Sequence, residues 1–168
     1  MSLQKVISKV GNTLAIGVLP LAVIATVPQE AKAATLLPEN IDSLYVFGDS
    51  LSDTGNVFTL TGGLFPPKPF YPNGSLSNGS VWIDYLSEKL DVPVTPAFQL
   101  TLGQPTQTAG INFALAGSTT GKENTLIPSA IVSANPFLGG LQGQVGLFNN
   151  LITNNLITPQ QAANPNAL

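Results

Sequence analysis

Four consecutive apolar residues, Leu44 to Phe47, run directly into Gly48-Asp49-Ser50. A short apolar run closed by turn residues predicts a strand buried on both faces that empties into a tight polar turn. A second such run, Ile111 to Ala116, ends at the glycine turn Gly117-Ser118-Thr119-Thr120-Gly121. Between them, Val81, Ile83, Tyr85, Leu86 and Leu90, with Trp82 alongside, predict a short helix that Asn78 or Ser80 could cap and Pro93 stops. Leu141, Val145, Phe148, Ile152 and Leu156 recur at helical spacing with Gln142, Gln144, Asn149 and Asn154 between them. That pattern predicts an amphipathic helix over residues 140–157 packed on a sheet, with Gly140, Gly143 and Gly146 permitting close approach. A weaker, irregular alternation predicts a strand over Ala97 to Leu100, and no internal repeat is present.

Residues 57–79 break the pattern. They are dense in Gly, Pro, Asn and Ser and read as a long surface loop, either a roof over a site or a solvated connector. The amino-terminal segment differs again. Lys5 and Lys9 precede an apolar run from Leu14 to Val27, and Ala31-Lys32-Ala33 follows with the small-x-small pattern of a cleavage site. Residues 1–33 are therefore expected to be a secretory signal peptide cleaved after Ala33, leaving residues 34–168 as one domain. An uncleaved membrane anchor is the alternative, although Pro20 interrupts the run and it falls short of the ~20 residues a span needs.

Composition narrows the chemistry. Charged residues make up 9% of the 168, against about 25% in an average soluble domain. All six basic residues are lysine; without residues 1–33 three remain against eight acids, a net charge of 3 minus 8, or −5. An acidic chain without a guanidinium is poorly suited to nucleic acid or to a polyphosphate. Cysteine is absent, which removes disulfides and thiolate chemistry. Histidine is absent as well, so neither a Ser-His pair nor a histidine metal site can be built from these residues.

A serine one turn past the first strand stands where open α/β sheets carry their chemistry. Gly48 allows the bend, and the amides after it can converge on one spot as oxyanion donors. A Gly-Asp-Ser turn alone also suits an ordinary loop. No Gly-x-Ser-x-Gly elbow occurs in the chain, and the turn at 117–121 lacks the spacing and the Lys-Ser/Thr end of a nucleotide-binding loop.

The longer motif is more specific. GDSLSDTGN at 48–56, FYPNGSLSNGSVWIDYL at 70–86 and INFALAGSTTG at 111–121 resemble, in order, segments of the GDSL lipases and esterases of the SGNH hydrolase superfamily, and LQGQVGLF at 141–148 resembles the helix that follows. The resemblance implies a three-layer α/β/α, flavodoxin-like fold, incomplete in this chain, and a serine ester hydrolase that needs no cofactor and no metal. It makes Ser50 the nucleophile, with its N–H and that of Gly117 in the oxyanion hole. Gly48, Asp49, Asp53 and Asn56 then support the turn, Asp49 and Asp53 through backbone hydrogen bonds. The implied partner is an ester of a lipid, carbohydrate or small alcohol, with transient contact to a lipid surface and no nucleic acid; the oligomeric state is left open. The leader implies a secreted or periplasmic location.

Two family blocks are missing from these residues: the Gly-x-Asn-Asp whose asparagine gives a third oxyanion donor, and the Asp-x-x-His that supplies the base. The closing Asn164 to Leu168 resembles the run that leads into the first of these, so the sequence reads as an amino-terminal portion. Relatives also tend to carry arginines where Ser75 and Ser80 stand. Losing the base of a serine hydrolase costs on the order of a million-fold in turnover and losing one oxyanion donor roughly a hundred- to a thousand-fold, so the 168 residues alone are expected to be inactive. Only two strong strands are legible, and a partial sheet is expected to leave an aggregation-prone edge. The rival reading is a catalytically dead secreted remnant, or a module that binds glycans or lipids through the loop from Phe65 to Tyr71.

Overall fold

In a computed structural model, the structure describes residues 41–101, 109–165 and 167–168. The expected signal peptide lies outside them. The described part is mixed α/β, built on a parallel three-stranded sheet.

Strand β1, Leu44–Val46, and strand β3, Gly110–Asn112, form where the two apolar runs lie, each only three residues long in regular pairing. Extended chain carries the contact further, because Phe113 N–H donates to Val46 O and Leu115 N–H to Gly48 O. Between them in sequence, and on the far side of β3, lies β2, Val94–Pro96. The order is β1-β3-β2, with Leu44 and Val94 both paired to Gly110 from its two sides. β1 is flanked on its other side too: Ser43 bridges Ala167 in parallel, and Tyr45 N–H donates to Leu168 O at 2.7 Å.

Alternation along the strands sends successive side chains to opposite faces, and each face is covered. Leu44, Val46 and Ala114 pack with Val92 and, from helix α2 (Trp82–Leu90), Ile83, Leu86 and Leu90. Ile111, Phe113 and Leu115 pack on the other face with Leu147 and Leu151 of helix α5 (Leu141–Thr153). There Phe47 stacks on Phe113 at 5.1 Å between centroids, and Phe148 of α5 meets both rings edge-on, at 5.9 and 5.6 Å. The remaining helices are short: α1 (Asn56–Leu60), α3 (Ala97–Thr101), α4 (Ser129–Ala134) followed by a 3₁₀ turn at Pro136–Leu138, and α6 (Pro159–Ala162).

Four sequence expectations change. Residues 97–101 form helix, not strand: Asn56 Oδ1 accepts the Phe98 N–H and satisfies an amide that a first helical turn leaves open. Helix α2 is started by neither Asn78 nor Ser80, since the Asp84 carboxylate accepts the Val81 N–H from within its first turn. The supposed loop at 57–79 opens with helix α1 and then folds around the Phe58 ring, over which Lys68 Nζ sits at 5.1 Å. Helix α5 is rotated from the expected face. Gly143, Gln144, Leu147 and Leu151 are buried, while Val145 is 45% exposed. Close packing is found at Gly140 and Gly143, where a Cβ on Gly143 would lie 2.2 Å from Pro136 O, but not at Gly146, where the nearest atom would be 3.5 Å away.

Candidate active site

The turn after β1 is held by the main-chain carbonyl of Asp49 and by the carboxylates of Asp49 and Asp53. Ser52 and Asp53 N–H groups donate to Asp49 O, each at 3.0 Å, and Leu51 N–H to Asp49 Oδ1, also at 3.0 Å. Asp49 itself is exposed and Ser50 half-buried. Among the described residues, Ser50 Oγ has no hydrogen-bond partner.

Asp53 is wholly buried and acts as the hub of the turn. One carboxylate oxygen accepts the N–H groups of Gly55 (2.8 Å) and Asn56 (2.6 Å), the other those of Val57 (3.2 Å) and Ala116 (2.9 Å). The last bond reaches to the residue before Gly117. Burial pushes the Asp53 carboxyl above its ordinary range, against the four N–H groups that favour the charged form. Asn56, equally buried, donates through Nδ2 to Asn112 O and Ala114 O, at 2.7 and 2.8 Å. Within this turn the side chains of Asp49 and Asp53 both accept backbone N–H groups.

The sequence reading missed two residues beneath the turn. Asn112, in the middle of the second apolar run, is fully buried; its Nδ2 donates to Ser52 O (2.6 Å) and Thr54 Oγ1 (2.9 Å), and its Oδ1 accepts the Ala114 N–H. A lone polar residue inside an apolar strand was the available signal, because such a group is retained only when its partners are supplied. Gln144, 1% exposed, comes from α5: its Oε1 accepts the Gly48 N–H at 2.9 Å, and its Nε2 donates to Gly48 O at 2.6 Å and to Ser118 Oγ at 3.0 Å. Nothing in the local sequence distinguishes it from Gln142.

Gly117 is half-buried at φ +82°, a conformation that strains an L side chain, and a Cβ there would lie 2.5 Å from Asn124 Oδ1. Asn124 closes this second turn by donating to Ala116 O and accepting the N–H groups of Leu126 and Ile127. The two turns face one pocket of about 270 Å³, lined by Phe47, Gly48 and Asp49 from one and Ser118, Thr119 and Thr120 from the other, with Leu141. Ser50 and Gly117 adjoin these residues in the chain without lining the pocket. Neither Ser50 N–H nor Gly117 N–H finds an acceptor among the described residues.

Such an arrangement leaves the Ser50 hydroxyl and two backbone amides without hydrogen-bond partners, and among the described residues no side chain is bonded to that hydroxyl as a base would be. Comparison with known proteins bears on what it serves. The chain is similar to acetylajmalan esterase 2 of Rauvolfia serpentina, 28% identical over 73% of this chain and 36% of that protein. It resembles a GDSL esterase/lipase of Arabidopsis thaliana at 36% identity over 48% of this chain and 23% of the relative. A thermolabile hemolysin of Vibrio parahaemolyticus is 38% identical over 36% of this chain and 15% of its own length. The matches thus span between 15% and 36% of these relatives. The sequence profile of the GDSL-like lipases and acylhydrolases matches residues 44–167, most of the chain, and the chain belongs to that family.

Proposed function

We propose that these residues are the amino-terminal part of a secreted serine ester hydrolase in which Ser50 is the nucleophile and the N–H groups of Ser50 and Gly117 stabilise the oxyanion. The observation that carries this reading is the pair of turns facing one pocket, braced by buried polar side chains, with both N–H groups left without an acceptor among the described residues. In the complete protein an imidazole base from an Asp-x-x-His block beyond this sequence takes the Ser50 proton as Oγ attacks the ester carbonyl carbon. The carbonyl electron pair becomes the oxyanion, which collapses, expelling the alcohol with that proton; water then attacks the acyl-serine and releases the carboxylic acid. The full domain is read as a three-layer, flavodoxin-like sheet, and the small parallel sheet covered by helices on both faces supports that reading. Residues 1–33 are assigned to export. Lipid esters are favoured by the exposed apolar side chains of the 57–79 segment, Leu64 at 82% and Phe70 at 73%.

The chain has no histidine, so the missing base can be supplied from solution. A fluorophosphonate probe should phosphonylate Ser50, fluoride leaving as the proton passes to added imidazole, at a rate that rises with imidazole concentration. Ser50→Ala should abolish labelling. Labelling that survives the substitution, or none in the folded chain at high imidazole, would overturn the assignment.

A further inference from the structure

The reach of Gln144 goes beyond bracing a loop. Its amide pairs with both the N–H and the C=O of Gly48, as a neighbouring strand residue would, and spends its remaining N–H on Ser118 Oγ. Ser118 Oγ–H in turn donates to Gly139 O at 3.0 Å, just before α5. Both N–H groups donate and the oxygen accepts one bond, and turning the amide over would set an NH₂ against the Gly48 N–H, so its orientation is fixed. Gly48 lies two residues before Ser50, and Ser118 directly follows Gly117. One planar amide therefore touches the chain beside each of the two N–H groups proposed to form the oxyanion hole.

We infer that Gln144 is a positioning residue that sets the spacing between the Ser50 and Gly117 amides. This rests on the reading of Ser50 as nucleophile. Oxyanion donors act only when both stand within hydrogen-bonding distance of one oxygen, and errors of about half an ångström between supporting turns are enough to lose the effect. The Asp53 carboxylate joins the same two turns from its own side through Ala116 N–H, so removing Gln144 releases the spacing without releasing the turns altogether.

The test uses fluorophosphonate labelling of the whole chain in imidazole, separating the probe's binding constant from the rate constant of phosphonylation. Gln144→Met keeps the volume and removes all three bonds; it should lower the phosphonylation rate constant about 10- to 100-fold and leave the binding constant near that of the parent. Leu147→Ala, one turn along the same buried face, should lower the melting midpoint without slowing labelling of the folded molecules. Ser118→Ala removes the bond to Gln144 from the opposite side, together with the bond to Gly139 O, should slow labelling several-fold, and decides the matter if the Met variant does not fold. Unchanged rates in the folded Gln144→Met or Ser118→Ala variants, or equal slowing by Leu147→Ala, would overturn the inference. A parent chain that never labels at Ser50 removes the nucleophile reading itself, and the inference with it.

Discussion

The Asp53 carboxylate accepts the Ala116 N–H at 2.9 Å, joining the turn after β1 to the approach to Gly117. Asp53→Asn keeps the size but turns an NH₂ toward donors that the carboxylate now accepts. Each buried N–H left without an acceptor costs about 1–3 kcal/mol. The substitution should shift the urea midpoint downward by a corresponding amount, and an unchanged midpoint would mean that the hub bears little of the fold.

Stability should also depend on pH through the same group. Burial raises the folded-state pKa of Asp53 above its ordinary 3.8, so between that value and the raised one the folded chain binds more protons than the unfolded chain. The contribution of Asp53 is then greatest below pH 3.8 and is lost as pH rises through the folded pKa. Urea midpoints of parent and Asp53→Asn, compared across this window, should differ by a gap that widens with decreasing pH. A gap that narrows would show that the four N–H groups outweigh burial.

Asn112→Leu should be costly although it places a better strand former in a strand. It strands Ser52 O, Thr54 Oγ1 and Ala114 N–H together, at about 1–3 kcal/mol for each that finds no water. Amide hydrogen exchange should show loss of protection first at Ala114, and a uniform loss across the sheet would argue against a local role.

Gly117→Ala meets two penalties: about 1–2 kcal/mol for a Cβ in the left-handed region and a close contact with Asn124 Oδ1. Thermal unfolding should report a lower midpoint, and relaxed packing at Asn124 should expose the Leu126 and Ile127 amides to exchange. An unaltered midpoint would show that the turn can be rebuilt without glycine.

Phe70→Ser together with Leu64→Ser should weaken sedimentation of the chain with phosphatidylcholine vesicles, since both side chains are largely exposed and each offers apolar area to a lipid interface. If parent and variant partition alike, the loop has no such use.

Much of the sheet was legible because Leu44–Phe47 and, Asn112 apart, Ile111–Ala116 are apolar on both faces, a signal that needs no partner to be read. The turn residues were legible for the same local reason: Asp49 and Asp53 bond amides two to four positions ahead. What stayed hidden depends on distant partners. Ala97 to Leu100 shows an irregular apolar pattern that suits either period over four residues, and the tie to helix comes from Asn56, far back in the chain. Helix α5 was read with Gln144 outward because apolar spacing cannot register that Gly48 offers a side-chain amide both a donor and an acceptor.

The order β1-β3-β2 places β1 beside strands remote in sequence, with Leu44 opposite Gly110 and Tyr45 bonded to Leu168. No hairpin can start such a sheet. Each pairing closes a long loop before it gains contacts, so assembly is slow relative to a helical protein of the same size. During synthesis β1 leaves the ribosome before β3 and stays single until β3 follows it, an interval in which an apolar strand has no partner to bury it.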